Sequence, residues 1–434
     1  SVSLGWRISE ESFIKDNLSF VDNIKLRASY GKMGDDSASD YQFISGYDYP
    51  NTSGGSNNNY PTGYVFGGAY TNALGFRAVP NPYITWFTVK TLNIGLDADL
   101  WNGLLGFTFE VFKRDRDGLL ADRLTTLPGT FGSKMPQENL NSDRTKGFEL
   151  EIRHANKIGD FRYNVAAQVS MTRGMRCYYE TNPAGNSYDY WRNRSLNRYN
   201  DIWFGYGEAG RYTNYNQIFN SYYTDSSTLP GDYIYEDWNG DGTIDDMDKH
   251  PIATTTNATA SNWQDKKNYP LMNFGLTIGA NWKGLDLNML LQGSAMSYIA
   301  YGEQLSAPLQ FDGNALDMFL DRWRPIDPNA HPYNPATEWI SGYYAFGAKT
   351  PDADSEFMIQ KGDYLRLKSI ELGYTLPKQW LAPLGVKNLR VYFNAYNLLT
   401  LTDVKGVDPE KPTELYGYMY PMNKTYNFGA NITF

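Results

Sequence analysis

The feature that most constrains this chain is a two-residue alternation of apolar and polar side chains, recurring in segments joined by connections that are alternately short and long. In residues 92–100, Leu92, Ile94, Leu96, Ala98 and Leu100 alternate with Asn93, Gly95, Asp97 and Asp99. Asn102 and Gly103 follow, a pair suited to the positive φ angles of a tight hairpin turn. Leu105, Phe107, Phe109 and Val111 then alternate with Gly106, Thr108 and Glu110. The hairpin unit returns at 148–152 with 161–171, at 274–282 with 285–291, and at 364–376 with 389–395. Residues 24–30 precede these units. Residues 425–434 close the chain, with Tyr426, Phe428, Ala430, Ile432 and Phe434 on one face. A period of two over such lengths predicts β-strands with one apolar face.

The connections carry the second constraint. Short ones fall near Asn102, Lys157, Lys283 and Pro377, and long ones at about 34–84, 118–142, 174–268, 297–362 and 400–422. A barrel spanning an outer membrane has this asymmetry, with short turns at one rim and long loops at the other. A water-soluble sandwich also alternates, but does not call for long connections at one end only. Trp101 and Trp282 lie beside short turns, where an interfacial aromatic girdle belongs. No apolar run reaches the roughly 18 residues a membrane-spanning helix requires, and alternating strands average to a soluble-looking composition. The last strand runs toward the short-turn end. Counting back gives about eleven strands, the first at residues 1–8, whereas single-chain bacterial barrels have even numbers. The expected fold is therefore all-β, a transmembrane antiparallel barrel of which residues 1–434 supply the C-terminal half of about 22 strands.

Several stretches resemble a known family. Residues 3–13, SLGWRISEESF, are similar to a segment of SusC/RagA-like TonB-dependent transporters of Bacteroidetes, as is KLRASYG at 25–31. The same holds for NIGLD at 93–97, KGFEL at 146–150, DYLRLK at 363–368 with LGY at 372–374, LRVY at 389–392 with NLL at 397–399, and GVDPE at 406–410. These matches run through the whole chain in order. The resemblance implies a barrel in the outer membrane, closed by an N-terminal plug, energised through TonB-ExbB-ExbD and covered by a SusD-like lipoprotein. It implies import of oligosaccharides or peptides into the periplasm. It also makes the terminal Phe434 a signal for the barrel-assembly machinery. Plug and TonB box lie outside this sequence, so energy coupling rests on the resemblance alone. Two other readings stay open: a siderophore-type TonB-dependent receptor without a lipoprotein lid, and a soluble, calcium-stabilised all-β binding protein.

The most specific local motif is residues 237–248, DWNGDGTIDDMD. Asp237, Asn239, Asp241, Asp245 and Asp248 occupy positions 1, 3, 5, 9 and 12 of a calcium-loop spacing, with Thr243 offering its carbonyl at 7 and Gly242 the sharp turn at 6. The family carries a matching DxNGDGxIDxxD. Asp248 stands where a longer Glu would bind through both oxygens, so a weaker site is expected. The alternative is an acidic turn without metal. The expected role of Ca2+ is structural, pinning a long connection.

Other features exclude functions. A net charge of −9 argues against nucleic acid as partner, and the single Cys177 excludes an internal disulfide. His154, His250 and His331 are scattered, and neither HExxH nor GxSxG occurs, so no enzyme activity is expected. Gly205, Gly207 and Gly210 satisfy GxGxxG without the strand–turn–helix context of a dinucleotide site. Glu149 and Glu151 read as solvated lumen charges. Tyr178, Tyr179, Tyr188, Tyr190, Trp191, Tyr199, Trp203, Tyr206, Tyr212 and Tyr215 crowd one long connection. Such aromatics suit stacking on a sugar or peptide and suit packing against a lid equally well, so no substrate-binding residue is assigned.

Overall fold

A computed structural model describes residues 1–36, 42–50, 63–76, 79–124, 130, 135–181, 184–192, 194, 196–221, 225–254, 270–302, 305–347, 349–352, 354–410 and 422–434. Eleven principal strands pair in chain order into one antiparallel sheet. They are β1 (Val2–Arg7), β2 (Val21–Asp35), β3 (Phe87–Leu100), β4 (Leu105–Asp122), β5 (Gln137–Ile158), β6 (Phe161–Tyr178), β7 (Met272–Trp282), β8 (Leu285–Ala295), β9 (Tyr364–Thr375), β10 (Asn388–Thr402) and β11 (Thr425–Thr433). Among the described residues β1 pairs only with β2, and β11 only with β10.

The alternation fixes the register. Trp6 lies opposite Leu26, and the row continues through Leu96, Phe109, Leu150 and Val169 to Phe274. Slipping any strand by one residue would turn its apolar set to the other face, so this row specifies the pairing. Across β8 to β11 the belt continues through Met289, Ile370, Ala395 and Tyr426. Most of its large side chains stand partly or largely exposed, Phe428 by 82 %, while the small Ala395 is buried. A contiguous exposed apolar surface of this kind is the surface a bilayer covers. The opposite face holds charge pairs: Arg27 with Asp97 at 3.1 Å and with Glu110, and Arg390 with Asp286 and, at 2.6 Å, with Glu371.

The short connections behave as their residues require. Asn102 and Gly103 have φ of +55° and +76°, and Trp101 precedes them at +56°. Asp22 accepts the Gly103 N–H at 2.9 Å and Phe20 stacks on Trp101 at 5.5 Å, so the first two hairpin ends pack together. Lys283 and Gly284 make the next tight turn at +48° and +90°. Residues 376–387 hold a helical turn, Lys378–Leu381, and a 3-10 turn, Ala382–Leu384.

The strands outrun the apolar alternation. β4 reaches Asp122 and β5 begins at Gln137, so the connection expected at 118–142 spans only 123–136. Beyond Val111 and Phe148 the same face turns to Lys113, Asp115, Arg144 and Lys146 while the ladder continues. Apolar alternation marks only the part of a strand in apolar surroundings; backbone hydrogen bonds carry it further. In the same way β6 extends to Tyr178 and β10 to Thr402, shortening their connections. Inside the connection that follows β8, Asp317–Leu320 form a single 3-10 turn. The Gly/Ser/Asn run at 53–59 lies outside the described residues.

Candidate functional site

Two long connections, 179–271 and 296–363, interlock into a cap at the long-loop end. The Tyr206 N–H donates to the Asp354 carbonyl at 2.7 Å, and the Glu356 N–H to the Tyr206 carbonyl at 3.0 Å. Trp203 is fully buried beside this seam and its Nε1–H reaches Asp354 Oδ1 at 3.4 Å. A Cβ on Gly205 would lie 2.2 Å from the Asp354 carbonyl oxygen, so glycine permits the close approach. Gly205 and Gly210 thus sit on two short strands, Ile202–Gly205 and Glu208–Arg211, with Gly207 between them; the strands pair with other cap segments and are not followed by a phosphate-binding helix. Burial, with lesser contributions from Asp352, Asp246, Asp245 and Asp248, pushes the Tyr206 phenol up to about 12.

Arg211 is the second rivet. Its guanidinium lies 4.1 Å from the Tyr233 ring centre and 4.7 Å from that of Phe357, and donates to the carbonyls of Gly231 (3.0 Å) and Tyr343. Tyr212, Tyr215, Ile218 and Leu229 form a buried cluster against Ile234, Trp339 and Phe346, and the Tyr215 hydroxyl donates to the Pro332 carbonyl. The aromatic residues of this connection therefore divide. Trp203, Tyr212 and Tyr215 build the cap's interior, while Tyr178, Tyr190, Trp191 and Tyr199 stay exposed.

The acidic segment 237–248 is folded into the cap's flank. Gly240 and Gly242 take φ of +72° and +85°. Asp237 accepts the N–H groups of Gly240, Asp241 and Gly242 at 2.7, 3.2 and 2.9 Å. Asn239 Oδ1 accepts the Asp241 N–H, and Asp241 Oδ1 the N–H and hydroxyl of Thr243. Asp245 accepts the Met247 N–H. Asp248 has 0 % exposure and accepts the N–H groups of Asn239 (3.2 Å) and Asp245 (2.8 Å). Among the described residues no three His, Cys, Asp or Glu side chains converge as a ligand set. The donors are nonetheless hard oxygens throughout, wound onto one short loop, and a carboxylate oxygen that accepts one N–H keeps a lone pair for a cation.

The loop is anchored at its far end. Trp238 stacks on His250 at 4.0 Å, His250 Nδ1 lies 3.0 Å from the Asp248 carbonyl, and the Tyr188 hydroxyl donates to the carbonyls of Asp246 (2.8 Å) and Lys249. The Lys249 ammonium, hydrogen-bonded to Asp246, holds that carboxyl below its usual range.

A third constellation joins two stretches that the sequence presents separately. Arg366 on β9 is 2 % exposed. It donates to Asp408 at 2.7 Å, Glu410 at 2.6 Å and the Thr400 hydroxyl at 2.9 Å, and Lys368 pairs with Glu410. The segments 363–368 and 406–410 are thereby clamped together. Burial alone would raise the Asp408 carboxyl, but hydrogen bonds from Arg366 and from the Glu410 and Met422 N–H groups hold it below the ordinary carboxylate range.

On the polar face of the sheet, Thr108, Glu110, Glu149, Glu151, Gln168 and Asn273 line a recess. The histidines are not brought together. His154 meets the Tyr163 hydroxyl at 2.8 Å, His250 lies in the cap and His331 beside Tyr333. Phe434 follows the end of β11 and is exposed.

The family described as TonB dependent receptor-like, beta-barrel, matches residues 1–289. TonB-dependent receptor P3 of Formosa agariphila is 25 % identical over 461 residues, covering 100 % of this chain and 41 % of the relative. TonB-dependent receptor SusC of Bacteroides thetaiotaomicron is 26 % identical over 441 residues, covering 100 % of this chain and 40 % of its own length. The chain thus spans about two-fifths of the curated relatives it matches. Among solved structures, the RagAB peptide importer in its open-open state superposes with a TM-score of 0.67 at 20 % identity, over 100 % of this chain and 42 % of that one.

Proposed function

This chain belongs to the TonB-dependent receptor-like β-barrel family, a family of the outer membrane, and from that premise we propose that it forms barrel wall and outer cap of a SusC-like importer. The cargo is an oligosaccharide or peptide handed over by a SusD-like surface lipoprotein and moved to the periplasm with energy supplied through TonB. The observation that carries this reading is the sheet's division into an apolar belt and a charged face, with two long connections folded into one cap at a single end. Such a sheet separates lipid from an aqueous lumen, and such a cap presents a broad surface to a partner outside. The names of two relatives, SusC and the RagAB peptide importer, favour a lidded importer over a siderophore-type receptor. Purification of the full-length protein from outer membranes tests it. Release only by detergent, heat-modifiable gel migration and a co-purifying lipoprotein are expected. Release by salt alone overturns the barrel, and a stable barrel with no lipoprotein favours the lidless receptor.

Two further parts belong to this reading. Ca2+ occupies the loop formed by Asp237, Asn239, Asp241, Thr243, Asp245 and Asp248, where it stiffens the cap flank and does no chemistry. Phe434 acts as the signal read by the barrel-assembly machinery, and its replacement by Ala lowers the yield of assembled barrel.

A further inference from the structure

The apolar belt ends on five neighbouring strands in the same way. The first side chain beyond it on the belt's own face, toward the long-loop rim, is Lys32 on β2, Lys90 on β3, Lys113 on β4, Lys146 on β5 and Arg173 on β6. Arg144 stands one step further on β5. Lys32 is directly opposite Lys90, and Lys146 is directly opposite both Lys113 and Arg173. Like charges in directly paired positions destabilise a sheet, and this chain is acidic overall.

Three carboxylates offset part of this charge. Asp117 binds Lys90 at 2.8 Å, Asp115 binds Lys113 at 2.9 Å and also Arg144, and Asp201 grips Arg173 at 2.8 Å. Lys32 and Lys146 have no partner among the described residues, and both are exposed. On β9 and β10 the corresponding rim carries Leu365 and Leu401, so the basic strip is confined to one sector.

We propose that this strip is a docking site for the phosphorylated headgroup of an outer-leaflet lipid. Its place argues for a lipid over a soluble anion: the cations begin where the apolar belt stops, at the level of the headgroups of any lipid whose chains lie against Leu92, Val111, Phe148 and Met171. Phosphate oxygens between Lys113, Lys146 and Arg173 supply the counter-charge that the sheet lacks. The proposal rests on the membrane placement above and not on the identity of cargo or lid.

The test uses the full-length protein, delipidated in detergent and titrated with purified phosphorylated lipid A, with the same lipid stripped of its phosphates, and with inorganic phosphate. Thermal stability and native mass spectrometry report binding. Phosphorylated lipid A alone is expected to bind and raise the melting temperature. The double variant Lys32→Gln/Lys146→Gln is expected to weaken it by about tenfold or more. Lys157→Gln/Lys283→Gln, at the opposite rim, removes equal charge and is expected to leave binding unchanged; heat-modifiable migration shows that both variants are folded. Equal binding by wild type and Lys32→Gln/Lys146→Gln overturns the proposal. So does equal binding of the dephosphorylated lipid, or an equal effect of inorganic phosphate. A protein that salt alone extracts would instead sink the membrane reading itself.

Discussion

The Arg366 guanidinium and the Asp408 carboxylate meet at 2.7 Å, one on β9 and the other in the connection that leads to β11. Glu410 closes the pair from the same connection. Replacing Arg366 by Met leaves two carboxylates without their buried partner, and is expected to destabilise the clamp by about 3–5 kcal/mol. Limited proteolysis should then cut within 403–410 in the variant and not in the wild type, at a temperature where both remain heat-modifiable barrels.

The same pair sets a pH response. The folded value of Asp408 lies below that of an unfolded Asp, so its contribution is fully present above the unfolded value of about 3.9 and is lost as pH falls through the lower folded value. Protection of 403–410 should therefore be flat from neutral pH to about pH 4 and should fall only below it. Release that begins near pH 6 would show that another group governs the clamp.

The cap should come apart without the barrel. Trp203→Ala removes a fully buried side chain at the seam and is expected to lose about 3–5 kcal/mol locally. Gly205→Ala forces a Cβ against the Asp354 carbonyl and should open the same seam. Hydrogen exchange would show faster exchange at Tyr206 and Glu356 in both, with the ladder of β4 and β5 unchanged. Uniform acceleration would mean that cap and sheet are one cooperative unit.

Calcium should stabilise the cap flank. A chelator is expected to speed proteolysis near 237–248 and to lower the first thermal transition, and added Ca2+ to reverse both. Asp237→Ala should lose this response. Asp248→Asn should lose it in part, because an amide oxygen still ligates. A wild type indifferent to chelator would leave the segment as a hydrogen-bonded turn.

The sheet was largely legible in the sequence, because membrane surroundings impose a strict period of two and a tight turn demands residues such as Asn102, Gly103 and Gly284. Strand ends were less legible. Lys113, Asp115, Arg144 and Lys146 look like loop chemistry, yet their backbones continue the ladder. The cap was legible only as an excess of Tyr and Trp. Which of them turn inward depends on contacts such as Tyr206 with Asp354, nearly 150 positions apart in the chain. Arg366 and Asp408 each lie in a recognisable stretch, but no spacing says that the two stretches touch.

One face of this sheet meets lipid and the other water, and accessibility along a single strand reads that division directly. With Cys177 replaced by Ser, single cysteines at Phe107, Thr108, Phe109, Glu110 and Val111 on β4 can be probed with a water-soluble maleimide in intact outer-membrane vesicles. Labelling is expected with a period of two, fast at 108 and 110 and slow at 107, 109 and 111. Uniform labelling along the strand, or the opposite phase, would contradict it.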